Sequence, residues 1–157
     1  AGPRAMRPLS RYIAEFDAQF PLALDSFAGV EAQAAAQADD IAYIGHDIDD
    51  GLRAGLFRLD DIAGAVPFVA GIVDAVEQWR PGLERGRLIN EVVRRVITGF
   101  VEDAIRTSTA NLADLAPATA AGARQAEAPM VTLSPARAMK DAAEAAMPSI
   151  WQEMVEG

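Results

Sequence analysis

Between residues 88 and 105 the apolar side chains Leu88, Ile89, Val92, Val93, Val96, Ile97, Phe100, Val101, Ala104 and Ile105 recur at spacings of one, three and four. A strand repeats every second residue and cannot produce this rhythm, whereas a helix repeats every 3.6. The pattern persists for about five turns and calls for a long helix with a wide apolar stripe that other elements must cover. Alanine is plentiful and runs of β-branched residues are short, so helix dominates elsewhere too. The expected fold class is therefore all-α.

The other elements follow from their stop signals. A short helix is expected from Ser10 through RYIAEF, ending before Pro21. A second should run from about 26 to 51 or a little beyond, packed through Val30, the alanines between Ala32 and Ala38, and Ile41, Ile44 and Ile48. RLDDIAG suggests a short third element, and VPFVAGIVDAVEQW a fourth helix between Pro67 and Pro81. The long helix takes about 84–115. APATAAGARQAEAPMVTLSP, with three prolines and many small residues, is expected to join elements and not to build them. A last helix is expected from Ser134, as N-cap before Pro135, toward Trp151.

With 157 residues the chain is one domain's worth or part of a larger one, and 51% hydrophobic with 24% charged residues reads as globular. A net charge of −9 argues against a general nucleic-acid surface. No apolar run reaches the roughly 20 residues that cross a bilayer, and AGPRAMRP lacks the apolar core of a signal peptide. The absence of cysteine removes disulfides and thiolate metal sites and fits a cytoplasmic address.

ADDIAYIGHDIDDG, residues 38–51, gathers five aspartates, one tyrosine and the chain's one histidine. On a helix, Ile41, Ile44, Ile48 and Leu52 share one side while Asp39, Tyr43, His46 and Asp50 take the opposite one, with Asp47 at the stripe's edge. A solvated polar face explains this simply. Yet Asp39, Tyr43 and Asp47 stack at four-residue spacing, and these carboxylates lack cationic partners one turn away. A metal ion or a guanidinium from another segment would relieve their repulsion. A self-contained calcium loop is excluded: counted from Asp47 the glycine comes one position early, and the twelfth position is Arg58. One histidine and no cysteine cannot build a transition-metal site easily, and neither GxGxxG nor GxxxxGK[ST] occurs.

RYIAEFDAQF, EAQAAAQADDIAYIGHDIDDGLRAGL and RGRLINEVVRRVITGFVEDAI together resemble the C-terminal part of HD-domain deoxyguanosine triphosphate triphosphohydrolase-like proteins. The most specific element is ADDIAYxxHDIDDGLRAGL. The resemblance implies a metal-dependent hydrolase that releases tripolyphosphate from a deoxynucleoside triphosphate. It implies that Asp39 is the last of four metal ligands, with Asp40 the neighbouring candidate, and that Tyr43 and Asp47 face the substrate sugar. It divides the chain into a C-terminal part of the hydrolase core, 1–116, and a loose connector with a terminal helix, 117–157.

The pattern departs from the family in that no His-Asp pair precedes Asp39, and Asn90-Glu91 stands where related sequences often carry His-Glu. The expectation is a fragment, or a degenerate copy, without catalytic residues of its own. A divalent metal such as Mg or Mn belongs to the full-length parent and is not held by this chain alone. The expected partners are the dNTP, the missing N-terminal half of the HD domain, and further copies in a homo-oligomer. The alternative is a non-catalytic helical interaction or regulatory module on the same scaffold. Among the basic residues Arg85, Arg87, Arg94 and Arg95, the last two are candidate phosphate contacts set against ordinary solvated positions. Trp79 and Trp151 are expected to anchor packing, and Met130, Met139, Met147 and Met154 to fill core or interface.

Overall fold

The computed structural model describes residues 10–134, and every regular element among them is helical. The order is α1 (Arg11–Gln19), α2 (Val30–Ala54), α3 (Leu59–Ala65), α4 (Pro67–Trp79), α5 (Arg85–Leu115) and α6 (Ala120–Arg124). The all-α expectation holds. The expected terminal helix, with Met139, Met147, Trp151 and Met154, lies outside the described residues.

The helix ends show why these segments stop where they do. Ser10 caps α1 by accepting the Ile13 N–H at 3.4 Å. Gly55, at φ +73°, closes α2 in a conformation that side chains disfavour, and the Leu56 N–H folds back to the Gly51 carbonyl at 3.0 Å. Asp61 accepts the Arg58 backbone N–H at 2.7 Å and orders the start of α3. Pro67 opens α4 at a position where a missing N–H costs nothing. Glu84 accepts the Gly86 and Arg87 N–H groups at the start of α5, and the Gly86 bond chiefly holds its carboxyl below the usual range.

The residues fall into two packed units. One takes the chain up to Gln37 together with Arg106–Thr132, and the other takes Ala38–Ile105 and resumes at Leu133. The second unit has a core of Ile41 from α2, Val69, Val73 and Val76 from α4, and Val92, Val96 and Phe100 from α5. Phe68 tilts onto Phe100 with ring centroids 5.7 Å apart. At Gly45 the two long helices come so close that an added methyl would meet Ile97 Cδ1 at 2.7 Å. Arg53 ties the same helices together, donating to Asp49 at 2.8 Å and to Asn90 Oδ1 at 2.6 Å.

The first unit is held around one amide. Gln33 is buried; its Nε2 donates to the Ala28 carbonyl at 2.8 Å, and its Oε1 accepts the Met130 and Val131 N–H groups at 2.9 and 3.1 Å. Phe27 N–H bonds the Arg124 carbonyl at 2.9 Å, and Asn111 donates to the carbonyls of Pro129 and Met130. The proline-rich stretch expected only to join therefore also builds: it contains α6, and Ala123 and Met130 are buried. Gln33 takes the place given to the alanines. Ala32, Ala34, Ala35, Ala36 and Ala38 are all exposed, because a methyl group offers too little surface to compete for the covered side of α2.

Candidate functional site

The acidic face of α2 is built by the residues opposite it. Ile41, Gly45, Gly51 and Leu52 are buried and Ile44 and Ile48 half-buried, and this fixes the helix's rotation. Asp39, Tyr43, His46, Asp47 and Asp50 are thereby turned outward, and all five are exposed. Successive members of the row Asp39–Tyr43–Asp47 are offset by about 40° around the axis, so they climb one side of the helix in two turns. Tyr43 leaves 61% of its surface open.

The side chains of Asp39, Tyr43, His46 and Asp47 make no hydrogen bond or ion pair among the described residues. Asp49, rotated toward the packed side, has its partner in Arg53 one turn on. The row thus presents acceptors and a phenol to whatever lies outside the helix. Among the described residues, no three His, Cys, Asp or Glu side chains stand close enough together to hold a metal ion. Asp39 offers one carboxylate, and these residues by themselves do not fit a divalent cation.

Arg94 and Arg95 have a well-defined setting on α5. Arg94 grips Glu91 with Nε at 3.1 Å and Nη2 at 2.7 Å, and Arg95 Nε reaches the same carboxylate at 2.8 Å. These bonds, Arg94's first, hold the Glu91 carboxyl down at about 2. Arg95 also lies over the Trp79 ring, 5.4 Å from its centroid, with Arg80 at 4.7 Å. Trp79 is 58% exposed and is not the packing anchor expected of it: it closes α4 and carries guanidinium groups. Arg85 donates to the Leu52 carbonyl at 2.9 Å, one of the carbonyls left open at the end of α2. These arginines are structural partners first.

Sequence reasoning missed two buried polar groups, Gln33 and Asp103. Asp103 accepts the Ser134 N–H at 2.6 Å. Its signal was present, since it lies about 20° from Val92 around α5. Val101, about 180° from Val92, and Ile105, about 140° away, fall on the far side and are exposed.

Relatives of this chain carry a common name. A deoxyguanosinetriphosphate triphosphohydrolase-like protein of Rhodopseudomonas palustris (strain BisB5) is 46% identical over 136 residues, covering 82% of this chain and 33% of that protein. The protein of the same name from Parvibaculum lavamentivorans is 45% identical over 128 residues, covering 82% of this chain and 32% of its own length. A third, deoxyguanosinetriphosphate triphosphohydrolase-like protein 1 of Mesorhizobium japonicum, is 47% identical over 127 residues, with 81% and 31% covered. No family model matches the chain, and no solved structure does. The chain spans about a third of the length of these relatives, and the part it matches is their C-terminal part. Over that C-terminal portion, this chain belongs to the deoxyguanosinetriphosphate triphosphohydrolase-like family.

Proposed function

We propose that this chain supplies one wall of the substrate site of a deoxynucleoside triphosphate triphosphohydrolase, which converts a dNTP and water to deoxynucleoside and tripolyphosphate. The observation that carries the reading is the row Asp39–Tyr43–Asp47, without side-chain partners among the described residues and turned outward by a packed opposite side, in a chain whose relatives are named deoxyguanosinetriphosphate triphosphohydrolase-like. Asp39 is assigned as one carboxylate donor to a divalent cation whose other donors come from outside this chain. Within the proposal the cation supplies charge neutralisation at the phosphates. The Asp47 carboxylate accepts a hydrogen bond from the sugar 3′-hydroxyl, and the Tyr43 ring packs against the deoxyribose where a 2′-hydroxyl would need room. Arg94 and Arg95, held by Glu91, are assigned to the phosphate side only as a fixed positive field.

The sugar contact gives the test. Losing a charge-assisted hydrogen bond typically costs about 1.5–3 kcal/mol, or roughly ten- to a hundredfold in kcat/KM. In a protein of the relatives' full length that carries this chain, Asp47→Ala should lower dNTP hydrolysis by that order and leave metal content nearly intact. It should also shrink the preference for a normal dNTP over its 3′-deoxy analogue, a cycle measured on two substrates and two proteins. An unchanged preference would make Asp47 a solvated acid on a helix edge.

A further inference from the structure

The apolar face of α1 stands outside everything described so far. Tyr12, Phe16 and Phe20 follow one another at four-residue spacing with Ile13 beside them, and they are 81%, 53%, 60% and, for Ile13, 44% exposed. No residue of α1 is buried. Its geometry is nonetheless defined. Ser10 caps the start, Arg11 pairs with Glu15 at 2.6 Å, and Phe16 and Phe20 stack at 5.2 Å. At the exit, the Phe20 N–H bonds the Phe16 carbonyl at 2.8 Å, and the Leu22 N–H bonds Asp17 Oδ1 at 2.7 Å. A helix of nine residues standing alone is below the roughly 12–15 at which even good sequences are marginal in water, so an apolar surface laid against this side would add to its stability.

We propose that α1 is a docking helix whose Tyr12–Ile13–Phe16–Phe20 face is covered by the portion that precedes the matched part in the relatives. That portion makes up about two thirds of each relative, and it reaches this chain on the N-terminal side of α1, the first described element. A direct covalent connection places any complementary surface there at high effective concentration. The partner chemistry follows from the face: an apolar surface, uncharged at its centre, with polar groups at the rim opposite Arg11, Glu15 and Asp17. This inference rests on the relatives' length and on α1 alone, and stands apart from the catalytic reading.

The experiment compares one pair of substitutions in two settings. Phe16→Ser with Phe20→Ser is made in the 157-residue chain, and in a fusion that places the N-terminal two thirds of the Rhodopseudomonas palustris relative ahead of it. Serine and phenylalanine have similar helix propensity, so the change removes the apolar face and not the helix. In the isolated chain Tm should stay within about 1 °C, whereas in the fusion it should fall by roughly 5 °C or more. Equal melting of the two fusions overturns the proposal. So does a stable dimer of the isolated chain, seen by sedimentation and dissociated by the substitutions, if the fusion is indifferent to them; the occupant would then be a second copy. A fusion that shows the shift but hydrolyses no dNTP would leave α1's role standing and count against the hydrolase reading alone.

Discussion

Glu91 shows how far a single carboxylate can be committed before any ligand arrives. Three hydrogen bonds from Arg94 and Arg95 lower its carboxyl from 4.5 to about 2. Because the folded value is depressed, the stability it contributes is fully present above about 4.5 and is lost as pH falls through about 2. Glu91→Gln, which resembles the protonated acid, should lower Tm at neutral pH. The gap to the parent protein should narrow steadily below pH 4.5; a constant gap would mean that the pair of arginines contributes no charge-dependent stability. Among the described residues Asp39 and Asp47 have no such partners, which separates them from an ordinary salt-bridged surface. That difference was legible in the sequence for Asp39 and Asp47, where no cation lies four residues away. For Arg94 and Arg95 the pairing was legible by the same rule, since Glu91 stands three and four residues before them.

At the scale of elements, the caps and breakers marked α1, α3, α4 and α5 to within a residue or two, since serine, proline and glycine act locally. α2 starts at Val30 and not near 26, because Phe27 is committed to the Arg124 carbonyl, a contact far away in sequence. The apolar stripe of α5 was drawn too wide for the same kind of reason: periodicity counts apolar residues, but only the packed partners decide which arc is covered. Gln33 is the sharper case. Two of its three bonds hold the segment after α5 and the third holds Ala28, so Gln33→Leu should strip the acceptor from two backbone N–H groups and cost about 1–3 kcal/mol. Hydrogen exchange at the Met130 and Val131 amides should speed up markedly, while Val92 and Val96 in the other unit's core keep their protection. Uniform loss of protection would argue against a local role for Gln33.

For the whole molecule, the governing fact is that the chain covers about a third of its relatives, while its described residues do not compose a metal site. No helix among them is long and apolar enough to cross a membrane. Purified residues 1–157 should release no tripolyphosphate from any dNTP above the blank, and steady release free of contaminating hydrolase would contradict the division of labour proposed for Asp39. The most direct measurement is made in a protein of the relatives' full length carrying this chain: tripolyphosphate release and bound divalent metal, quantified together for the parent, Asp39→Ala and Asp40→Ala. Asp40 is one position along, about 100° around the helix, so it serves as the internal control for register. Asp39→Ala should abolish turnover and lower metal content while Asp40→Ala does much less. Full turnover and full metal content in Asp39→Ala would contradict the metal role proposed for Asp39.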